Sequence, residues 1–175
     1  MPAKTLTQYL PSNGMINSDG SQRDDKPGHQ SLRKGRIFMP HQVYLVTTAT
    51  RQRQPVFLDF RTACVACLCF EASTLLGDAR MLAWVLMPDH VHWLLQVGAK
   101  NDLSTVVNRL KSASGRQVNR LIGKQGAFWQ KAFHDHALRA EEDVRKVARY
   151  VLANPLRAGL VQGMGDYPFW NAIWV

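Results

Sequence analysis

The sequence predicts an α+β domain in which helices pack on an antiparallel β-sheet. Four stretches have the apolar pattern of strands and three have apolar residues at helical spacing, in the order β-α-β-β-α-β-α. The chain has 175 residues, of which 46% are hydrophobic. This is enough for one domain with a core, and it argues against two domains or global disorder.

The domain is expected to cover residues 37–175. Residues 1–36 lack apolar periodicity and are rich in Ser, Asn, Asp, Gly, Pro and Lys, which is typical of a flexible N-terminal tail. The N-terminus does not have the charged and then apolar layout of a signal peptide, and no apolar run is long enough to span a membrane. We therefore expect a cytoplasmic protein without a membrane partner.

The first half of the domain contains three predicted strands and one helix. Residues 42–50 alternate and are rich in β-branched side chains, so they predict a strand. Residues 59–73 have apolar positions at helical spacing. Residues 80–87 and 90–97 predict two strands joined by a tight Pro-Asp connection.

The second half contains two helices and an irregular strand. Residues 101–122 form an amphipathic pattern, residues 127–139 are strand-like, and residues 141–155 predict a helix with acids in its first turn and Pro155 at its end. The complete order resembles the ferredoxin-like, split βαβ layout, in which helices cover an antiparallel sheet.

The three cysteines lie in one short segment, as Cys64, Cys67 and Cys69. An odd number in a reducing compartment argues against a disulfide framework. Because no second cluster with zinc-ligand spacing follows closely, we interpret them as small side chains on an apolar helix rather than as a metal site.

Positive charge is concentrated in the C-terminal part. Residues 41–99 hold 4 Lys or Arg and 4 Asp or Glu, whereas residues 100–175 hold 12 and 6. This distribution favours a nucleic-acid partner over charge that serves solubility alone. The expected phosphate contacts lie on the outer face of the 101–122 helix: Arg109, Lys111, Arg116 and Arg120. Trp129 and Phe133 could stack on unpaired bases, although burial is the more usual role of such aromatics.

Two histidines, His90 and His92, lie one residue apart on a predicted strand. Side chains at positions i and i+2 of a strand point to the same face, so these imidazoles could bind one metal ion. Two polar residues on a half-exposed sheet are the simpler alternative. The His-triad nucleotide hydrolases need a third histidine two residues further on, and Leu94 occupies that position.

Tyr150 is the one tyrosine of four on a clearly predicted helix, at the flank of its apolar face. Asn154 follows one helical turn later, at i+4 on the same side. From this spacing we interpret Asn154 as a third metal ligand next to a nucleophilic phenol, although a tyrosine at the boundary of a core is common. A second histidine pair, His134 and His136, could be structural or could reach DNA.

Three blocks of sequence occur in order over residues 37–162: "MPDHVHWLL", "FWQKAFHDHALR" and "ARYVLANPLRAGLV". Together they resemble the REP-associated tyrosine transposases, single-tyrosine relatives of the HUH transposases. The resemblance implies a ferredoxin-like HUH endonuclease fold, a divalent ion held by His90 and His92, and Tyr150 as the nucleophile. It also implies cleavage and rejoining of single-stranded DNA at hairpins, with Arg157 of the last block among the DNA contacts.

Several further expectations follow. Mg²⁺ or Mn²⁺ fits two histidines and an amide, and Mn²⁺ should work at least as well because it tolerates imidazole better. The partner would be single-stranded DNA with hairpins; the resemblance favours a monomer and leaves a dimer open.

One alternative is a domesticated DNA-binding protein that keeps the fold without turnover. Another is a metal-dependent hydrolase of small phosphate esters, for which Tyr150 would be dispensable.

Overall fold

Five strands and five α-helices build the described part of the chain, residues 39–174 of a computed structural model. The strands are β1 (Val43–Ala49), β2 (Arg80–Leu86), β3 (His90–Gln96), β4 (His134–Ala137) and β5 (Trp170–Ala172). The helices are α1 (Phe60–Phe70), α2 (Ser73–Leu76), α3 (Leu103–Ile122), α4 (Val144–Leu152) and α5 (Asn154–Arg157). The predicted tail, residues 1–36, lies outside the described residues. None of the helices in residues 39–174 has the length and apolar character needed to cross a bilayer.

The strands form one antiparallel sheet in the order β4-β1-β3-β2-β5. The first four strands of this order have the ferredoxin-like arrangement, so the predicted α+β class is confirmed. The fifth strand was not predicted, since three residues are too few to show an alternating pattern. The hydroxyl of Tyr167 donates to the Leu86 carbonyl (2.6 Å) and ties this C-terminal segment to the end of β2.

The sheet has two differently covered faces. Val91, Trp93 and Leu95 of β3 are fully buried in the main hydrophobic core beneath α1 and α3. Leu94 points to the opposite face and is equally buried, but it lies outside that core. Because α4 packs against β2 with its own buried residues outside the main core, this helix covers the face to which the histidines point.

Helix α1 begins at the N-cap Asp59, whose side chain accepts a hydrogen bond from the Thr62 amide (2.9 Å). The three cysteines lie on this helix as predicted, with Cys69 buried and Cys64 and Cys67 partly buried. Burial, with a smaller contribution from the neighbouring Cys64, raises the pKa of Cys67. Its thiol is therefore protonated and behaves as a small apolar group.

The predicted helix 101–122 matches α3 within two residues. It is capped by Asp102, whose carboxylate accepts from the Thr105 amide (2.7 Å), and it ends at Gly123 with a φ of 66°. The predicted strand 127–139 is mostly loop, of which only His134–Ala137 pairs with β1.

The predicted helix 141–155 is divided. Helix α4 ends at Leu152, Ala153 adopts a ψ of 3°, and α5 begins at Asn154. Pro155 has no amide proton to donate to the preceding turn, but it is well suited to the first turn of a new helix. Tyr150 and Asn154 consequently belong to different helices.

Candidate active site

His90 and His92 lie next to each other at one end of the central strand β3. Their ring centroids are 4.9 Å apart and their planes are perpendicular, at 89°. The alternation of β3 places Val91 in the core and both imidazoles on the face covered by α4. His92 is 4% exposed, whereas His90, the first residue of β3, is partly exposed. The pair therefore extends from the interior of the protein to the end of the central strand.

Each imidazole is held through the same ring nitrogen. Nδ1 of His90 contacts the Asp89 carboxylate (2.5 Å), and Nδ1 of His92 contacts the Thr47 hydroxyl (2.8 Å) on the neighbouring strand. Among the residues that the structure describes, neither Nε2 atom makes a hydrogen bond. Fixing one nitrogen by hydrogen bonding while the other is available is the arrangement of metal-binding histidines.

Asp89 carries a second contact, from the Arg53 guanidinium to its other carboxylate oxygen (3.0 Å). Partial burial acts to raise the pKa of Asp89, but the hydrogen bond and charge of His90, together with Arg53, outweigh it and lower that pKa. The carboxylate is therefore ionised and can orient His90.

Burial determines the charge of His92. Desolvation first, and then the nearby positive charges of His90 and Arg157, lowers the pKa of His92 to about 3. The imidazole is therefore neutral at physiological pH, which is the form that binds a metal ion.

Tyr150 lies near the C-terminal end of α4, partly exposed, with the Arg157 guanidinium stacked 3.9 Å from its ring centroid. Arg157 also donates to the Tyr150 carbonyl (2.7 Å) and to the Asn154 side-chain oxygen (2.6 Å). Arg157 thus links the other two predicted site residues of this segment, Tyr150 and Asn154, and its charge also acts on His92.

Asn154 is engaged at both ends of its amide. Its nitrogen donates to the Val151 carbonyl (2.7 Å) while its oxygen accepts from Arg157. No group of three or more His, Cys, Asp or Glu side chains within residues 39–174 could hold a metal ion. A third protein ligand from the described chain would therefore have to be of another type, such as this amide.

The other tyrosines differ from Tyr150. Tyr9 lies outside the described residues, and Tyr44 is buried in the core. The hydroxyl of Tyr167 is engaged with the Leu86 carbonyl, and burial raises the pKa of Tyr167 to about 12.

The second histidine pair lies on the same face of the sheet, on the edge strand β4. The register places His134 opposite Thr47, which in turn lies opposite His92, so one strand separates the two pairs. His136 contacts the Glu142 carboxylate through Nε2 (3.1 Å), and Glu142 also accepts from the Arg139 amide (2.7 Å). His136 therefore fastens the loop that leads into α4.

The basic face of α3 holds three of its four predicted members. Arg109, Arg116 and Arg120 are exposed along one stripe. The placement of Lys111 on that face is wrong: it is 9% exposed, and its ammonium donates to the carbonyls of Gln130 (2.7 Å) and Lys131 (3.1 Å). The reason is helical geometry, because a residue two positions after Arg109 lies about 200° around the helix.

Three residues around the histidines were not predicted: Asp89, Arg53 and Thr47. Asp89 carried a signal, since a carboxylate directly precedes His90 in the sequence. Arg53 and Thr47 carried none, because they reach the histidines only through the pairing of β1 with β3 and the loop that follows β1.

The family model described as "Transposase IS200 like" matches residues 41–154, which include both histidine pairs, Tyr150 and Asn154. The chain belongs to the IS200-like transposase family. Two curated relatives carry the name REP-associated tyrosine transposase. The protein from Escherichia coli (strain K12) is 34% identical over 89 residues, 50% of each chain. That from Haemophilus influenzae is 28% identical over 98 residues, 50% of this chain and 56% of its own.

The chain thus spans about half the length of the curated relatives it matches. A solved REP-associated tyrosine transposase bound to a REP hairpin has the same fold, with a TM-score of 0.59 and 24% identity over 77% of this chain and 79% of that one. The comparisons therefore confirm the IS200-like transposase family, and they confirm a fold shared with a REP-associated tyrosine transposase.

Proposed function

We propose that the chain cleaves and rejoins single-stranded DNA at hairpin sequences, through a covalent 5′-phosphotyrosine on Tyr150 and with a divalent ion, Mg²⁺ or Mn²⁺. The observation that carries the proposal is the histidine pair: two adjacent imidazoles, both fixed through Nδ1 and both with Nε2 available. Membership of a transposase family supports a reaction on DNA.

The donor set suits a divalent ion. His90 and His92 present two nitrogens, His92 is neutral, and Asp89 and Thr47 orient the rings. Asn154 would add an amide oxygen, which in this arrangement accepts from Arg157 and has a second lone pair for another partner. A divalent ion held by His90, His92 and Asn154 would offset the charge of a phosphodiester and orient it.

Tyr150 would perform the covalent step. Its phenol oxygen bonds to phosphorus as the bond from phosphorus to the 3′ oxygen breaks; the phenol gives up its proton, and the departing oxygen gains one to become a 3′-OH. The phosphotyrosine ester conserves the energy of the bond, so a 3′-OH can reverse the step without ATP. Arg157, stacked on this ring, provides a positive charge where the phosphate would lie.

DNA recognition is the third part of the proposal. A REP-associated tyrosine transposase of the same fold binds a REP hairpin, and the exposed arginines of α3 supply the positive charge that such a partner requires. Their positions are Arg109, Arg116 and Arg120.

The covalent step is tested with 3′-labelled, hairpin-bearing single strands from flanking genomic DNA, incubated with Mn²⁺ and resolved on a denaturing gel. The wild-type protein should give a protein-linked band that peptide mapping places at Tyr150. Tyr150→Phe should abolish the band and the nicks while DNA binding survives, because only the attacking oxygen is removed. Tyr167→Phe, which also removes one hydroxyl, should leave the band.

Other outcomes identify the alternatives. A band that persists in Tyr150→Phe would place the nucleophile elsewhere. Nicks without any adduct would make water the attacking group and support the hydrolase. Specific DNA binding with neither nicks nor adduct would support the domesticated DNA-binding protein.

The metal site is tested by His90→Ala and His92→Ala. Each change removes one of few ligands, so each should abolish cleavage and lower Mn²⁺ affinity by at least tenfold in calorimetric titration. His134→Ala, on the same face of the sheet, should have the smaller effect on both. Full cleavage in EDTA, or by the double variant, would refute the metal site.

A further inference from the structure

Two cavities adjoin each other at the end of the sheet where His90 lies. One, of about 320 Å³, is bounded by α3 and residues 126–131. The other, of about 260 Å³, is bounded by the end of α3 and residues 50–56. Both are lined by Asn119, Ala127 and Phe128, so the two cavities form one groove, here named the α3 groove.

Basic side chains line the α3 groove along its length. Arg116 and Lys131 lie in the larger cavity, and Arg51 and Lys124 lie in the smaller one. All four are exposed, and the part of the chain that the structure describes contributes no Asp or Glu to the lining of either cavity. The groove therefore favours a negatively charged ligand.

The outer wall of the groove is fastened to α3 at three points. Lys111 binds the carbonyl of Gln130, the Trp129 indole donates to Ser114 (3.0 Å), and the Asn119 side chain donates to Gly126 (2.9 Å). Because the anchors lie at both ends and in the middle of the segment, the groove is preformed.

Phe128 lines both cavities and is partly exposed. Its ring is held edge-on by Phe57, with centroids 5.6 Å apart, and by Trp129, at 5.2 Å. Trp129 and Phe133, the aromatics that the sequence suggested for stacking, are both 5% exposed. Phe128 is thus the ring in this region that is both fixed and accessible to a base.

The smaller cavity lies near the end of β3 that carries His90. Thr50 lines it and donates through its hydroxyl to the Asp89 carbonyl (3.0 Å), and Asp89 binds His90. The intervening loop holds Gln52 and Arg53 at φ values of 58° and 51°, in the left-handed region that is unfavourable for such residues. Arg53 reaches Asp89 from this loop.

We propose that the α3 groove binds the single-stranded DNA that flanks the cleavage site, an inference that rests on the proposed function. Phe128 stacks on an unpaired base, while Arg51, Lys124, Arg116 and Lys131 contact successive phosphates. The groove delivers the strand to the end of β3, where the histidines lie. Stacking and phosphate contacts of this kind tolerate any sequence, so the groove adds affinity rather than hairpin specificity.

The test is fluorescence anisotropy in EDTA, where binding is measured without cleavage. The probes are a labelled DNA hairpin with a single-stranded oligothymidine extension and the same hairpin without it. The extension should increase the affinity of the wild-type protein. Arg51→Gln with Lys124→Gln should remove about tenfold of that gain and reduce the salt slope by about 1.4, since each phosphate contact contributes about 0.7 for single strands. Binding of the bare hairpin should not change.

The matched control is Arg80→Gln with Lys100→Gln. These residues are exposed near the opposite end of β2 and β3 from His90, and the change removes the same charge. Phe128→Leu should also lose about tenfold of the gain, with thermal unfolding as a check on folding. Arg51 and Lys124 are exposed, so replacing them should not disturb folding. The test of the groove therefore stands even if Phe128→Leu is destabilised.

Two outcomes would overturn the inference: an extension that adds no affinity to the wild-type protein, or a gain that survives in Arg51→Gln with Lys124→Gln. The Tyr150 adduct can form in either case, so the proposed function is judged separately. A gain that the double variant loses, in a protein that forms no adduct, would support the groove and refute the cleavage.

Discussion

At the scale of single residues, the two histidines have different surroundings, but in both cases the surroundings hold the ring through Nδ1. His92 is buried and held by a neutral hydroxyl, whereas His90 is partly exposed and held by a carboxylate that Arg53 also contacts. Burial keeps the first ring neutral. The second ring depends more on Asp89 for its orientation, because fewer atoms surround it.

Asp89→Asn tests that dependence. The amide keeps the shape of the side chain but loses the charge that favours a proton on Nδ1 of His90, so Nε2 becomes a weaker ligand. We expect Mn²⁺ affinity to fall by about tenfold in calorimetry, with thermal unfolding little changed. Asp166→Asn, at an exposed carboxylate in the short 3-10 helix Met164–Asp166, is the control. Unchanged affinity in Asp89→Asn would mean that packing alone orients His90.

The histidine pair could be predicted from the sequence because its geometry is local: two positions on one strand fix which face both rings share. Its supporting residues could not be predicted in the same way. Arg53 is 36 residues from Asp89 in the chain, and Thr47 is 45 residues from His92. Only the strand register brings these residues together, and register is a property of the folded sheet.

At the scale of elements, α3 was predicted closely because its apolar residues repeat over five turns and both of its ends have capping residues. The error at Lys111 arose from reading a charged side chain as a surface residue. A lysine can be buried when its ammonium is saturated with acceptors, and here the loop after α3 supplies three carbonyls. These acceptors lie 19 to 21 residues from Lys111 in the chain. The spacing of residues within a helix therefore could not indicate that Lys111 is buried.

Lys111→Met measures what that buried ammonium contributes. Methionine keeps most of the stem but leaves the carbonyls of Gln130 and Lys131 without their donor, so we expect the free energy of unfolding to fall by about 2 kcal/mol in urea titration. Arg116→Met, an exposed change on the same helix, should cost less than about 0.5 kcal/mol. Equal effects in the two variants would contradict a structural role for Lys111.

At the scale of the whole molecule, the fold brings together segments that are distant in sequence. The balanced segment 41–99 provides the histidines, and the basic segment 100–175 provides α3, Tyr150 and Arg157. The charge asymmetry of the sequence thus becomes a spatial one: the charges of Arg53 and Arg157 act on the buried, neutral His92. Such a field favours the approach of a polyanion and makes its affinity depend on salt.

The salt dependence gives a test of the α3 face. A single-stranded hairpin should bind more tightly than a blunt duplex, and its affinity should fall as salt is raised. Arg116→Gln with Arg120→Gln removes two exposed cations from one stripe of α3 and should reduce the slope of log affinity against log salt by about 1.4 for single strands. Arg80→Gln with Lys100→Gln removes as much charge at the far end of the sheet. Comparing the two double variants shows whether the slope depends on contacts of DNA with α3 or on the net charge of the protein. If both double variants reduce the slope equally, the effect is that of net charge; if neither does, the DNA does not pass along α3.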